Sequence, residues 1–244
     1  MLYRRKKKMI HVCEYLEPFD TINMSSTCKK LYLKMDEHLS KTKSSKDFKI
    51  LKKNDDCIKD EKYILGIGQP TLFLNKCNLK NVEKKIKNVE IVLSSILVIE
   101  NSLVHFEDCI FYPERNSSMI DIRETSDVTF SFCYIRNFSM FCKSYDSTTD
   151  FENTIFENVS VPIIGRRIHS KIFDTKFINC TMPINYFERF RLVVRNTHFL
   201  EKCVNSMIIH SRKDNNHLEI GDCYFGSCRR PLISMTRENE IDIY

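Results

Sequence analysis

The 244-residue chain has no tryptophan, only five glycines and only six prolines. So little Gly and Pro excludes collagen-like and low-complexity chains, and a hydrophobic content of 42% is enough to build a core. No run of about 18 uncharged apolar residues occurs, so no helical membrane span is expected and the chain reads as soluble, without a membrane partner. The start, Met1-Leu-Tyr-Arg-Arg-Lys-Lys-Lys-Met-Ile10, is basic, but His11, Cys13 and Glu14 cut the apolar stretch that a secretory signal would need. A Cys-x-x-Cys pair is also missing. Among the eleven cysteines the closest two are Cys223 and Cys228, and no second pair is placed to complete a tetrahedral zinc site. An odd number of cysteines without metal spacing reads as free, buried thiols acting as small hydrophobes in a reducing compartment. The expectation is a cytoplasmic or nuclear protein with no metal and no cofactor.

Charge is unevenly placed. Residues 1–64 hold 16 Lys/Arg against 10 Asp/Glu, a net of +6, which is the whole excess of the chain; residues 65–244 hold 22 of each. A nucleic-acid binder should carry its basic stripe on the folded body, and here the body is neutral, so nucleic acid is not the expected partner. Arg4-Arg-Lys-Lys-Lys8 has the composition of a nuclear import signal and equally that of a solvated terminus.

Repeats are the strongest signal. Leu103-Val-His-Phe-Glu-Asp-Cys-Ile-Phe111, Asp150-Phe-Glu-Asn-Thr-Ile-Phe156, Lys171-Ile-Phe-Asp-Thr-Lys-Phe177 and Leu218-Glu-Ile-Gly-Asp-Cys-Tyr-Phe225 share one template. It reads apolar, x, apolar, x, x, Cys or Thr, x, large apolar; further copies end at Ile135 and Phe199. Successive ends lie 24, 21, 21, 22 and 26 residues apart. Asn137, Asn158 and Asn179 follow two positions after the large residue, and a second short apolar run comes after each. Units near this length made of two or three short strands fit one turn of a right-handed parallel β-helix, in which each strand pairs with its equivalents in neighbouring coils. The helical half of a leucine-rich repeat is missing. Inward residues should stack Phe on Phe and Cys on Thr, and the Asn should take left-handed corners. The expected fold is therefore an all-β solenoid of about six or seven coils over 65–244, after a charged connector at 36–64 and a helical module at 1–35.

Over about residues 72–235 this pattern resembles the right-handed parallel β-helix repeats of pectin-degrading enzymes and of several non-enzymatic proteins. In the head, apolar residues at Met9, Val12, Cys13 and Leu16 follow helical spacing, Pro18 breaks the chain, Asp20 suits an N-cap, and Ile22, Met24, Cys28, Leu31 and Tyr32 continue an apolar face. On composition alone this is a helical cap over the end of a solenoid. The order Tyr15-Leu16, Pro18, Asp20, Ile22, Ser26-Thr-Cys-Lys-Lys-Leu-Tyr32 is also similar to an F-box, although Arg4-Arg5 stands where such modules open on Leu-Pro, and the usual Trp is absent. That resemblance implies a three-helix module docking a Skp-type adaptor of a cullin ubiquitin ligase, with Val12, Leu16, Pro18, Asp20, Ile22 and Leu31 as adaptor-binding residues. It further implies a β-helix that binds an as yet unidentified target protein.

The fold also raises catalysis. Lyases of this shape need several carboxylates converging on calcium, and hydrolases need carboxylates roughly 5–9.5 Å apart. Asp108, Asp127, Asp150, Asp174 and Asp222 read as occupying different template positions, and His105, His169, His198, His210 and His217 as scattered across registers. Nucleophile elbows and phosphate loops are absent. No catalysis is expected. Arg166, Arg167, Arg189, Arg191 and Arg195, with Arg212 and Arg229-Arg230 beyond them, are candidates for a patch facing an acidic or phosphorylated target, or simply for solvated corners. The competing expectation to a ligase receptor is a non-catalytic, carbohydrate-related β-helix protein with a helical cap.

Overall fold

A computed structural model of the chain describes residues 48–51, 61–66, 68–201, 203, 207–210, 216–226 and 240–243. Each coil contributes one strand to each of three parallel sheets. One coil runs Leu103–Glu107, Ile110–Pro113 and Met119–Arg123. The next runs Asp127–Ser131, Tyr134–Arg136 and Met140–Tyr145, and the one after it Thr148–Glu152, Ile155–Glu157 and Val161–Arg166. Among the described residues the three sheets have ten, eight and seven strands, so the third sheet closes seven complete coils. Three strands per coil settles what the sequence left between two and three. Phe48–Leu51 is a strand, and Leu51 is part of the core.

Left-handed residues make the corners. Between the first and second sheets φ is +52° at Asp108, +55° at Phe132, +48° at Asn153, +52° at Asp174, +47° at Asn196 and +52° at Asp222. Between the second and third sheets Asn137, Asn158 and Asn179 take φ of +64°, +54° and +53°. Asn and Asp tolerate this region because their short polar side chains bond locally; Asn179 Nδ2 donates to Asn158 Oδ1 at 2.5 Å. The first of these corners corrects one expectation: Asp108, Asp174 and Asp222 occupy the same template position. Asp127 and Asp150 lie instead on the outer face of the first sheet.

The residue after a first corner turns inward, and at Cys109, Cys133, Thr154 and Thr197 it ties two coils together. Cys109 Sγ donates to the carbonyls of Glu107 and Ile86, Cys133 to Ser131 and Phe106, Thr154 to Glu152 and Phe130, and Thr197 to Arg195 and Ile172. Cys and Thr are interchangeable here because both are small and both donate. Burial pushes the Cys109 thiol up to about 12, with hydrogen bonding working the other way, so it stays protonated. No disulfide joins the seven cysteines among the described residues.

Inward aromatic rows fill the interior. On the second sheet Phe156, Phe177, Phe199 and Phe225 stack face to face with centroids 5.0, 5.1 and 4.9 Å apart. On the first sheet Phe106, Phe130 and Phe151 do the same at 5.1 and 5.0 Å. Each fully buried ring contributes roughly 1.5–3 kcal/mol of transfer free energy, and the parallel register places identical rings one coil apart. Gly165 leaves room where Tyr186 turns inward: a Cβ there would lie 2.9 Å from Tyr186 Cε1 and 2.3 Å from Ile168 Cδ1, so any side chain at this position would force those two to shift.

Candidate functional site

Strand alternation leaves every second side chain on an outer face, and the coil register lines these up into rows. On the first sheet Lys85, His105 and Thr129 form one row, with Lys87, Glu107 and Ser131 beside it. A shallow depression of about 410 Å³ opens there, lined among others by Tyr63, Glu83, Lys85, Leu103, His105, Ser131 and Glu152. At its centre His105 Nε2 lies 3.1 Å from Ser131 Oγ. Burial, helped by Lys85 and Lys87, holds His105 below the ordinary imidazole range, so it is neutral at pH 7. Burial works against the Glu107 carboxylate, but Lys85 and Lys87, at 2.6 and 2.5 Å, outweigh it and lower its pKa. Burial raises the Asp150 carboxyl, partly offset by the Lys171 N–H donating to its Oδ1 at 2.8 Å.

A histidine bonded to a hydroxyl is half of a nucleophilic site; the other half is a donor for the developing oxyanion. The N–H following Ser131, that of Phe132, already donates to the Glu152 carbonyl at 2.9 Å. The coil ladder thus takes up the donor that such chemistry would use. Among the described residues no group of three or more His, Cys, Asp or Glu is placed to hold a metal ion.

The candidate arginines do not gather into one free patch. Arg166 and Arg167 lie at the turn from the third sheet to the first, Arg189 at the equivalent turn one coil on, and Arg191 and Arg195 at opposite ends of the strand Arg191–Arg195. Three are neutralised across coils: Arg166 donates twice to Glu188, at 3.0 and 3.1 Å, Arg167 pairs with Asp146, and Arg195 with Glu219. Partners about one period away in sequence are invisible to a reading that counts local charge. His169 and His217 are not scattered: they flank Arg191 in one row of the first sheet. Arg212 and Arg229-Arg230, like Val12, Leu16, Pro18, Asp20, Ile22 and Leu31, lie outside the described residues.

The second sheet shows what the sequence reading missed. Its strands alternate like the others, yet most outward positions are apolar too, interrupted by Thr71, Glu90, Arg136, Glu157, Lys176 and His198. Around the inward Phe111, Ile135, Phe156, Phe177 and Phe199 stand the outward Ile110, Tyr112, Tyr134, Ile155, Ile178 and Leu200, all half-buried. Phe73 and Tyr224, exposed by 41% and 56%, mark the two ends of this face. Its polar groups are tied to rings: the Arg136 guanidinium sits 4.5 Å from the Tyr112 centroid and donates to Tyr112 Oη at 2.9 Å, while Tyr134 Oη donates to Glu157. By contrast the aliphatic or Phe residues on the first sheet's outer face between residues 83 and 219 are Leu103, Phe173 and Val193. The signal was present as apolar triplets such as Ile110-Phe-Tyr112 where a half-solvated strand should alternate. Compared with protein-family models, with curated proteins and with solved structures, the chain matches none.

Proposed function

We propose that the chain is a target-binding receptor: the substrate-recognition subunit of a Skp/cullin/F-box type ubiquitin ligase, with residues 9–35 as the adaptor-docking module and a right-handed parallel β-helix as the target-binding body. The observation that carries the binding role is the outer face of the second sheet, where Ile110, Tyr112, Tyr134, Ile155, Ile178 and Leu200 form an apolar stripe interrupted by Glu90, Arg136, Glu157 and Lys176, on a solenoid whose first sheet is mostly polar outside. Water-facing apolar surface of this extent marks interaction sites. The adaptor half rests on the order Leu16, Pro18, Asp20, Ile22 and Leu31 in the head. The role is binding rather than catalysis, in the cytoplasm or nucleus. Co-purification with a Skp-type adaptor is the test. The whole chain captures the adaptor, and a Leu16→Ala, Pro18→Ala double variant loses capture while its melting temperature is unchanged, because solenoid stability is a sum of local terms. No capture by the parent chain, with a lowered melting temperature in the variant, refutes the ligase reading in favour of a helical cap.

A second reading draws on the first sheet. The depression at Tyr63, Glu83, Thr129 and Glu152 offers a ring, a hydroxyl and carboxylates on one face, which suits a sugar chain held without being cleaved. Saturation by an acidic or neutral oligosaccharide, lost in Tyr63→Ala, would favour that carbohydrate-related alternative.

A further inference from the structure

We infer that the apolar face of the second sheet docks a basic amphipathic α-helix of the target protein. The inference rests on the proposed receptor role and adds the kind of segment received.

Backbone chemistry selects a helix. The N–H groups of Tyr134, Ile155, Lys176, His198 and Tyr224 donate to carbonyls of the preceding coil, at 2.9, 2.9, 2.9, 2.9 and 3.0 Å. The face therefore presents side chains and no free ladder edge, and an extended peptide laid on it would leave its own backbone unpaired. A segment that satisfies its backbone internally has no such cost.

Size points the same way. Eight strands at about 4.8 Å spacing give a stripe about 34 Å long, and two outward side chains per strand make it about 12 Å wide. The product, about 400 Å², is half of the roughly 800 Å² that each partner contributes to a stable interface between globular surfaces. A second copy of the chain is thus a poor occupant. A single helix, about 10–12 Å across, matches the width, and about 22 residues at about 1.5 Å rise match the length. Its turns, about 5.4 Å apart, would interleave with Ile110, Tyr112, Tyr134, Ile155, Ile178 and Leu200.

Charge selects the basic kind. One flank of the stripe is the first corner, where Asp108, Asp174 and Asp222 are exposed, Asp108 lying 3.5 Å from Lys87 Nζ and Asp174 accepting from Asn196; the opposite corner carries Asn137, Asn158 and Asn179 with Glu114, Arg115 and Glu201, so the two flanks together are acidic. Charged groups on the stripe itself, Glu90, Arg136, Glu157 and Lys176, cancel. A helix with Lys or Arg along one side of its apolar face meets carboxylates there.

The probe is a fluorescently labelled 22-residue Leu/Lys amphipathic helix, titrated by anisotropy against the whole chain, beside the same peptide with Glu for Lys. The Leu/Lys peptide should bind at least about tenfold tighter than the Leu/Glu one, and Ile155→Lys or Leu200→Lys should each weaken it by about tenfold or more. Val193→Lys, on the outer face of the first sheet, should leave it within about twofold. Melting curves identify any variant that fails to fold, and the two face variants lie in different coils, so one can stand for the other. Equal binding by the Val193→Lys and Ile155→Lys chains overturns the inference, as does preference for the Leu/Glu peptide. So does a parent chain that sediments as a dimer while Ile155→Lys is a monomer, which would make a second copy the occupant. The titration contains no adaptor, so its failure and the failure of adaptor capture are separate results.

Discussion

Replacing Phe156 tests the stacked-coil architecture at its centre. The ring is fully buried, lies 5.0 Å from Phe177 at 8° between planes, and meets Phe151 and Phe141 edge-on at 5.3 and 5.9 Å. Phe156→Ala removes the ring and leaves a cavity that stiff neighbouring coils cannot close, at a cost of about 3–5 kcal/mol. Phe156→Ile is the informative partner, because Ile135 holds the same ladder position one coil earlier, in register with Phe156. The fold accepts a β-branched aliphatic there, and the loss should fall to about 1–2 kcal/mol. At about 2–4 °C per kcal/mol for a chain of this size, Ala should lower the melting temperature by about 6–20 °C and Ile by about 2–8 °C. Thermal unfolding followed by circular dichroism, with urea midpoints as a second measure, checks both. The double change Phe156→Ala, Phe177→Ala should cost less than the two single changes together, since each single loss already counts the shared stack. If Ala and Ile destabilise alike, or Ala costs under about 1 kcal/mol, the ring does not sit in a packed ladder and the register is wrong.

Four further outcomes follow from the same geometry. Thr154→Val removes the hydroxyl that donates to the Phe130 carbonyl and, beside the Phe132 N–H, to the Glu152 carbonyl, and should cost about 1 kcal/mol, whereas Thr154→Cys, copying Cys133, should cost less than half of that; urea midpoints compare them. Asn158→Ala, at φ +54°, should cost about 1–2 kcal/mol and Asn158→Gly distinctly less; equal losses would show that the left-handed corner carries no strain. His105 has a lowered folded pKa, so the folded state resists its protonation and loses stability as pH falls below the free imidazole value. Between pH 7 and 5 the parent should therefore lose more melting temperature than His105→Asn, and parallel pH profiles would contradict the assignment. Asp150 has a raised folded pKa, so its ionised form is a cost at neutral pH. Asp150→Asn, which keeps an acceptor for the Lys171 N–H, should melt higher than the parent at pH 7, with the gain vanishing at acid pH.

Period and composition alone determined much of this protein. The spacing of Phe111, Ile135, Phe156, Phe177 and Phe199 fixes the coil length, and period-two alternation fixes which residues point in. Asn137, Asn158 and Asn179 mark corners because few side chains accept a left-handed backbone. Cysteines without metal spacing were legible as buried thiols, and Cys109, Cys133, Cys180 and Cys203 are so. These features are local, or repeat at one interval, and a linear reading captures them.

The outer faces were decided by the tertiary structure. An outward side chain has its nearest partners one coil away, some 20–26 residues distant in sequence, so neither its charge balance nor its row can be read from its neighbours along the chain. That is why Arg166, Arg167 and Arg195 looked like a basic cluster and turned out to be paired with Glu188, Asp146 and Glu219. Asp108, Asp174 and Asp222 differ in this respect: each stands one residue before the repeat's Cys or Thr, so their shared corner is already written in the template. Ile110, Ile155 and Ile178 looked like ordinary strand residues until stacking joined them into a single apolar face. Burial depends on what lies inside one coil; a surface depends on how many coils repeat it.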